Sequence, residues 1–407
     1  MNGNVIVGQS GGPTSVINSS LVGVFQAAKK ADCPKIYGMR NGLEGLLDGR
    51  YISLEDYIKD DLDVEILKRT PSSFLGTCRY KLPSYEKDSE VYEKLFSILK
   101  KLDIKHFFYI GGNDSMDTIK KLSEYAKLIN SDITFMGVPK TIDNDLAHTD
   151  HTPGYGSAAK YVASAMKEII LDTNTYTTDS ITIVEIMGRN AGWLTASAAL
   201  ARTDDCDGPD LLYLPETPFS YEKFLNDILE VKKRKSSAII ALSEGIKNEN
   251  GVYIRETQNT DMKLDVFGHK MLGETALFLS DKIASDTGMK SRGIVFSTLQ
   301  RCASHIVSRC DISEAHEAGS AAVTAALKGE TGKMVIFNRV SNNPYKMITE
   351  THSISDIANV EKTIPESWII NNGTYISDEF FDYARPLIMG ELNPFMVDGL
   401  PRHMAIR

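Results

Sequence analysis

The chain has 407 residues, of which 42% are hydrophobic and 24% are charged, and its formal net charge is −9. This composition is typical of a globular protein with room for two well-filled domains, and it excludes a disordered or fibrous chain. The negative charge argues against a general nucleic-acid or membrane-surface binder, because both need a basic field. Any phosphate ligand must therefore be held by a local cluster of basic side chains and backbone N–H groups.

The cysteines and the N-terminal segment indicate the compartment. Five cysteines without CxxC spacing favour free thiols in a reducing environment over a disulfide framework. The first residues lack a basic stretch followed by a long apolar run, so no signal peptide is expected. No stretch approaches the roughly 20 apolar residues that a membrane span needs. We therefore expect a cytoplasmic protein with no membrane partner and no nucleic-acid partner.

Short apolar runs alternate with helical patterns along most of the chain. The predicted strands are residues 4–8, 106–112, 133–138, 181–187, 211–214, 237–242, 293–297 and 334–338. Apolar residues at helical spacing predict helices after the first two strands, over about residues 17–28 and 119–129. This alternation favours mainly parallel sheets with helices on both faces. Because one such sheet rarely holds so many strands, we predict an α/β protein with two doubly wound domains.

Two glycine-rich loops follow predicted strands, where ligands of such sheets bind. GQSGGPTS (8–15) contains Gly11 and Gly12, which let the backbone approach an anion where the next helix begins. GGNDS (111–115) likewise has two glycines after a predicted strand, and Asp114 follows them. Neither loop has the dinucleotide or the Walker fingerprint, which argues against a dehydrogenase. Taken singly, each loop can also be a tight turn or a helix cap.

The loop VPKTIDNDL (138–146) combines a cation with two carboxylates. Phosphoryl transfer to a sugar hydroxyl needs a proton acceptor and neutralised charge at the donor. Asp143 is a candidate base and Lys140 a candidate cation for the donor oxygens. Thr141 can donate to the moving phosphoryl group, and Asp145 can orient the base or contact metal-bound water. Composition alone also allows a solvated turn.

Three further segments carry groups suited to a sugar phosphate. MGRNAGW (187–193) places Gly188 and Arg189 after a strand, and SEG (243–245) places Glu244 where it can accept hydrogen bonds from hydroxyls. RGIVFSTLQR (292–301) is expected to bring Arg292 and Arg301 to the two ends of one strand, and paired guanidinium groups suit a phosphate. Ordinary surface arginines are the alternative. A metal site at His148 and His151 is not expected, because no third histidine follows at ligand spacing.

The order of these motifs resembles the phosphofructokinase family. GGPTSVIN, LGTCR, GGNDS, PKTIDND, TDHTPGYGSA, MGRNAGW, LPE, SEG, DVFGHKMLG and TLQR occur in that order over about residues 5–305. The combination of TIDND and MGR is highly specific. The resemblance implies two α/β domains with the active site in the cleft between them. It also implies Mg²⁺-dependent phosphoryl transfer to the 1-hydroxyl of fructose 6-phosphate.

The resemblance implies a domain division and an assembly. Residues 1–152 with about 300–350 would form the donor domain, and 153–299 with part of the C-terminal segment the sugar-phosphate domain. Residues 340–407 form an extension of uncertain assignment. Some phosphate-binding arginines in this family come from a neighbouring subunit, which implies a homo-oligomer, either a dimer or a tetramer.

Roles carry over from the family motif by motif. Asp143 resembles the catalytic base, with Thr141 and Asp145 beside it. Gly11 and Gly12 resemble the donor-phosphate loop, and Arg79 of LGTCR resembles the arginine that bridges the phosphates. Asn113 and Asp145 occupy the metal positions. The positions that resemble sugar-phosphate contacts are Thr141, Asp143, Met187, Gly188, Arg189, Glu244, Arg292, Thr298 and Arg301.

Two positions discriminate between phosphoryl donors. Members of the family that use ATP usually have glycine at the positions of Asp114 and Lys140, whereas members that use inorganic pyrophosphate have aspartate and lysine there. The carboxylate of Asp114 would crowd and repel the α-phosphate of a nucleotide. The ammonium group of Lys140 can bind pyrophosphate directly. We therefore expect pyrophosphate as donor, and we expect Lys140, Asp114 and Gly12 to meet at one anion site.

Three departures from the family pattern keep other functions open. Asn113 replaces the usual metal-binding aspartate, and an amide oxygen ligates a hard cation without supplying charge. Ser180 replaces a substrate arginine, and Thr298 replaces a histidine or tyrosine. The alternatives are an ATP-dependent phosphofructokinase, an enzyme acting on another sugar phosphate such as sedoheptulose 7-phosphate, and a non-catalytic regulatory subunit that binds sugar phosphate.

Overall fold

The computed structural model describes residues 3–258 and 272–406. The strands are β1 (Asn4–Gln9), β2 (Ile36–Met39), β3 (Tyr51–Ser53), β4 (Ile104–Gly111), β5 (Thr134–Pro139), β6 (Ser180–Ile186), β7 (Leu211–Tyr213), β8 (Ser237–Ser243), β9 (Ser291–Val295), β10 (Lys333–Asn342), β11 (Tyr345–Ser353), β12 (Ile369–Ile370), β13 (Tyr375–Ile376), β14 (Met396–Val397) and β15 (Leu400–Pro401). The α-helices are α1 (Ile17–Lys30), α2 (Gly42–Leu47), α3 (Asp61–Lys68), α4 (Ser89–Lys101), α5 (Asn113–Leu128), α6 (Tyr155–Asn174), α7 (Trp193–Ala196), α8 (Tyr221–Lys232), α9 (Thr275–Thr287), α10 (Leu299–Cys302), α11 (Arg309–Leu327) and α12 (Asp378–Ala384). Short 3-10 helices cover Leu54–Asp56, Ser197–Ala201, Ile254–Gln258, Ser304–Ile306, Ile354–Asp356, Glu366–Trp368, Asn371–Gly373 and Arg385–Ile388.

Two mainly parallel sheets organise the described chain. The larger sheet has the strand order β11-β10-β5-β4-β1-β2-β3, and the smaller sheet has the order β7-β8-β6-β9. All pairs are parallel in the smaller sheet, whereas β3 and β11 run antiparallel to their neighbours at the edges of the larger one. The prediction of an α/β protein with two mainly parallel sheets is confirmed.

The apolar runs become strands because both faces of each sheet are covered. In β1, Val5 and Val7 belong to the core beneath α1 and α11, while Ile6 belongs to the core on the opposite face with α4 and α5. This is the alternation that successive residues of a strand impose. The sequence of a strand that is buried on both faces is therefore a continuous apolar run. Side chains cap the first turn of some helices, as Asp88 does for α4 and Ser308 for α11.

The C-terminal segment is divided between the two sheets. β10 and β11 extend the larger sheet next to β5. Farther along, Ile376, Phe380 and Leu387 belong to the core that packs on the smaller sheet. The segment that was expected to be an extension therefore packs against both halves of the molecule.

The structure differs from the sequence-based expectations at several elements. β2, β3 and β11 were not predicted, because β2 is short and contains a glycine, and the two edge strands lack a continuous apolar run. The interpretation of Arg292 and Arg301 as the two ends of one strand was wrong, since β9 ends at Val295 and Arg301 lies in α10. Most of the motif DVFGHKMLG (265–273) lies outside the described residues. In the described ranges, no helix has the length and apolar character needed to span a bilayer.

Candidate active site

The loops at the carboxyl ends of the strands meet around one cavity of about 640 Å³. β1, β4 and β5 are parallel neighbours, so the loops that follow them lie at the same edge of the larger sheet. β6 and β8 likewise bring Met187 and Glu244 to one edge of the smaller sheet. The cavity lies between these two edges. Its walls include Ser10, Gly11, Gly12, Arg79, Lys81, Asn113, Asp114, Lys140, Thr141, Asp143, Asp145, Met187, Arg189, Asn190, Glu244, Arg301, Asn359 and Glu361.

Lys140 joins two of the glycine-rich loops at the larger sheet. Its side chain is only 3% exposed, and its ammonium group donates a hydrogen bond to the carbonyl oxygen of Gly12 over 2.7 Å. Its backbone N–H donates to the carbonyl oxygen of Gly111. Burial lowers the pKa of Lys140 to about 8, although the charges of Asp143 and Asp145 oppose this shift. An anion that entered the cavity would favour the charged ammonium.

The backbone at Gly11 has a conformation that residues with a side chain rarely adopt. Its φ is +75°, and a Cβ atom there would lie 3.4 Å from the Lys140 nitrogen. At Gly12, a Cβ atom would lie 3.2 Å from the guanidinium of Arg301. The glycines therefore let Lys140 and Arg301 reach the backbone of this loop.

The irregular segment before α4 supplies Arg79. The hydroxyl of Thr77 donates to the carbonyl oxygen of Gly11 over 2.7 Å, and the N–H of Gly11 donates to the carbonyl oxygen of Cys78 over 3.3 Å. These two bonds hold the segment against the first glycine-rich loop. As a result, Arg79 and Lys81 line the cavity beside Gly11 and Gly12.

The loop after β5 places two carboxylates in the cavity. The N–H of Asp143 donates to the Thr141 hydroxyl over 3.1 Å. Asn144 adopts a left-handed conformation with φ +56°, and both Asp143 and Asp145 line the cavity. Burial raises the pKa of Asp143, and the Glu244 carboxylate adds to this shift. Burial also raises the pKa of Asp145, and the charge of Asp143 adds to it.

Asn113 and Asp145 fit a hard divalent cation. The Asn113 Oδ1 atom is buried without a hydrogen-bond partner, whereas its Nδ2 atom donates to the carbonyl oxygen of Val360 over 3.2 Å. The amide thus leaves its acceptor oxygen available, and the Asp145 carboxylate lines the same cavity. In the described ranges, no group of three or more His, Cys, Asp or Glu residues is arranged to hold a metal alone. Mg²⁺ commonly binds through one or two carboxylates together with substrate phosphates, so these residues fit it.

The smaller sheet contributes the opposite wall of the cavity. The N–H of Met187 donates to Gln300 Oε1 over 3.3 Å, which connects the loop after β6 to α10 and to Arg301. The N–H of Gly188 donates a long hydrogen bond to Glu244 Oε1 over 3.5 Å. Burial raises the pKa of Glu244, and the charge of Glu185 adds to the shift. Both walls of the cavity therefore carry basic side chains as well as carboxylates.

Three of the predicted site residues do not line this cavity. Gly188 lies between two lining residues and turns the backbone with φ +134°. Thr298 is exposed and precedes α10. Arg292 pairs with Thr182 at the amino end of the smaller sheet, where its guanidinium lies 3.9 Å from Asp172. Ser180 begins β6 at that same end.

The cavity residues to which the sequence analysis gave no role include Lys81, Asn190, Asn359 and Glu361. Lys81 follows Arg79 by two residues, and Asn190 follows Arg189 in the quoted motif, so proximity to known motifs was the available signal. Asn359 and Glu361 belong to the C-terminal segment, which carried no recognisable motif. Asn359 donates to Asp117 Oδ1 over 3.1 Å, and Glu361 Oε1 accepts from Asn190 over 3.0 Å. The segment therefore connects the two walls of the cleft.

The cleft combines buried cations, carboxylates and glycine-rich loops between two parallel sheets. Such sites are typical of enzymes that transfer phosphoryl groups. The phosphofructokinase family model matches residues 4–326. The chain therefore belongs to the phosphofructokinase family.

Individual relatives match nearly the whole chain. The pyrophosphate–fructose 6-phosphate 1-phosphotransferase of Halomonas elongata is 38% identical over 403 residues, which cover 98% of this chain and 95% of that protein. The enzyme of the same name from Xanthomonas campestris is 38% identical over 409 residues, covering 100% and 96% of the two chains. The crystal structure of pyrophosphate-dependent phosphofructokinase from Nitrosospira multiformis superposes with a TM-score of 0.88 at 35% identity, covering 98% and 95%.

Proposed function

We propose that this protein transfers a phosphoryl group from inorganic pyrophosphate to the 1-hydroxyl of fructose 6-phosphate, producing fructose 1,6-bisphosphate and phosphate. The observation that carries the proposal is the buried ammonium of Lys140 on the Gly12 carbonyl, in the cavity that Asp114 also lines. An ammonium at this position binds a small diphosphate directly. The phosphoryl-transfer potential of pyrophosphate is closer to that of a sugar phosphate ester than the potential of ATP is, so the reaction is readily reversible.

Asp143 acts as the general base in this proposal. Its raised pKa makes the carboxylate a better proton acceptor than an exposed aspartate, because a base is most effective when its pKa approaches the working pH. Thr141 lies next to it and donates to the transferred group. Lys140 and Arg79 neutralise the charge that develops on the phosphoryl oxygens.

A divalent cation completes the donor side. Asn113 Oδ1 and the Asp145 carboxylate are the groups that would hold Mg²⁺. When bound, Mg²⁺ neutralises charge on the diphosphate oxygens. Among the described residues, five carboxylates line the cavity, namely Asp114, Asp143, Asp145, Glu244 and Glu361, and they offset the five basic side chains Arg79, Lys81, Lys140, Arg189 and Arg301. The cavity therefore has little net positive charge for a diphosphate, which supports a requirement for a cation.

The sugar phosphate occupies the side of the cavity formed by the smaller sheet. Met187, Arg189, Glu244 and Arg301 line that side, and Gly188 shapes the backbone between the first two. Glu244 accepts hydrogen bonds from sugar hydroxyls, while the arginines bind the phosphate. Arg292 and Thr298 are assigned to substrate binding by the family motif alone.

Arg292 gives a reason to propose a homo-oligomer. It is exposed at the amino end of the smaller sheet, far from the cavity of its own chain. A second subunit, in a dimer or tetramer, would allow Arg292 to reach the substrate of a neighbour. We place the protein in the cytoplasm, where this reaction belongs to glycolysis. Size-exclusion chromatography with light scattering tests the assembly.

The decisive experiment compares phosphoryl donors with the purified protein, fructose 6-phosphate and Mg²⁺. We expect turnover with pyrophosphate and a rate with ATP lower by at least about 10²-fold. Turnover with ATP alone would refute the donor assignment and leave the ATP-dependent alternative. If neither donor gives turnover of fructose 6-phosphate but sedoheptulose 7-phosphate is phosphorylated, the substrate is sedoheptulose 7-phosphate. Sugar-phosphate binding without any turnover would indicate the regulatory subunit.

A further inference from the structure

The residue between the two cavity carboxylates points to a role for the C-terminal segment. Asn144 is completely buried and left-handed, with φ +56°. Its Oδ1 atom accepts a hydrogen bond from the N–H of Thr152 over 3.0 Å. Its Nδ2 atom donates to the hydroxyl of Tyr383 over 2.7 Å. The conformation that separates Asp143 from Asp145 thus depends on a contact 239 residues away in the chain.

The hydrogen-bond directions at Tyr383 are fixed by its neighbours. An amide NH₂ group only donates, so the hydroxyl is the acceptor toward Asn144. The hydroxyl proton is then used toward the carbonyl oxygen of Asp150, at 2.8 Å. One oxygen atom therefore connects Asn144 with Asp150 at the far end of the same loop.

The ring of Tyr383 is held by several neighbours. Its centroid lies 5.2 Å from that of Trp193 and 5.8 Å from that of Trp368. The guanidinium of Arg339 lies 4.7 Å from the ring centroid and donates to the carbonyl oxygen of Tyr383 over 2.8 Å. A side chain packed in this way has little rotational freedom, so its hydroxyl is a fixed anchor.

Another contact brings the same C-terminal segment against the loop. The N–H of Lys362 donates to the carbonyl oxygen of Asp145 over 2.7 Å, and Glu361 forms an antiparallel bridge with Leu146. The loop after β5 is therefore supported by β5 on one side and by the C-terminal segment on the other.

We propose that Tyr383 is a positioning residue for phosphoryl transfer, whose hydroxyl holds Asn144 and thereby sets the directions of the Asp143 and Asp145 carboxylates. This inference rests on the proposed role of Asp143 as base. A displacement of about 1 Å in a catalytic group can lower a rate about 10²-fold, so the loss of one anchoring hydroxyl is measurable in turnover.

The test is Tyr383→Phe, with Tyr213→Phe as the matched control. Tyr383→Phe removes one oxygen and keeps the packed ring, so the protein is expected to fold. Tyr213 of β7 is also buried; its hydroxyl donates to Asp227 Oδ2 over 2.7 Å, and its ring centroid lies 5.0 Å from that of Phe224. Both partners belong to α8 on the outer side of the smaller sheet, so the control loses a comparable bond away from the loop after β5.

We expect Tyr383→Phe to lower kcat about 10- to 100-fold, with the KM values for both substrates changed less than about threefold. Tyr213→Phe should keep kcat within about twofold. Equal losses of kcat in the two variants, or an unchanged kcat in Tyr383→Phe, would overturn the proposal.

Hydrogen–deuterium exchange separates this inference from the proposed reaction. In Tyr383→Phe, faster exchange should be confined to residues 141–152, and Tyr213→Phe should not show it. This measurement needs no turnover, so it remains informative if the wild-type protein does not use pyrophosphate. Unchanged exchange in that loop would refute the anchoring role even if the proposed reaction is correct.

Discussion

Replacement of Lys140 by methionine tests the donor side of the cleft most directly. Lys140 is 3% exposed, so its charge is poorly screened by water. One ammonium charge about 4 Å from one phosphate charge contributes about 4 kcal/mol at an effective dielectric constant of about 20. Burial already lowers the pKa of Lys140 to about 8, which shows that the free protein resists this charge, so the net loss should be smaller. We expect kcat/KM for pyrophosphate to fall about 30- to 1,000-fold, equivalent to about 2–4 kcal/mol.

The assay measures initial rates against pyrophosphate concentration at saturating fructose 6-phosphate and Mg²⁺. Lys160→Met is the matched control, because the Lys160 ammonium also donates to a backbone carbonyl, that of Gly390, over 2.7 Å, outside the cavity walls. The control should keep kcat/KM for pyrophosphate within about threefold. A fall of less than threefold in Lys140→Met, or equal falls in both variants, would refute the reasoning.

Three other predictions concern the base, its titration and the sugar side. Asp143→Asn should lower kcat about 10²–10⁴-fold while the KM for fructose 6-phosphate changes little, and near-normal turnover would remove Asp143 from its role. Because the pKa of Asp143 is raised, the active carboxylate is lost as the pH falls through that raised value. A plot of log kcat against pH should therefore fall with unit slope on the acid side. A profile that stays flat down to about pH 4 would contradict this prediction. Gly188→Ala would place a Cβ atom 2.6 Å from the Ala191 carbonyl oxygen at φ +134°. The KM for fructose 6-phosphate should therefore rise at least about tenfold. The control Gly251→Ala, where a Cβ atom would have nothing within 4 Å, should leave this KM unchanged.

The sequence determined the strands that are buried on both faces. Residues such as Val5, Ile6 and Val7 form continuous apolar runs because opposite faces of one strand enter separate cores. Edge strands do not follow this rule, since β11 is antiparallel to β10 and consists of half-buried and exposed residues. Its pairing depends on what lies beside it, which local composition does not record.

The sequence also determined most of the candidate site, because parallel strands bring their carboxyl ends to one edge. The loops that carry Gly12, Asp114 and Lys140 were expected at strand ends, and the resemblance to the family implied one anion site for the three residues; all three line the cavity. Arg292 differs, because the parallel direction of β9 puts it at the amino end of the sheet.

Only the tertiary structure decided how the C-terminal segment completes the cleft. Glu361 reaches Asn190, and Tyr383 reaches Asn144, across 171 and 239 residues of sequence. Neither residue belongs to a motif, and its neighbours in the chain give no sign of its partner. Contacts of this kind arise when the chain closes over two sheets, so they are set by packing geometry and not by local spacing.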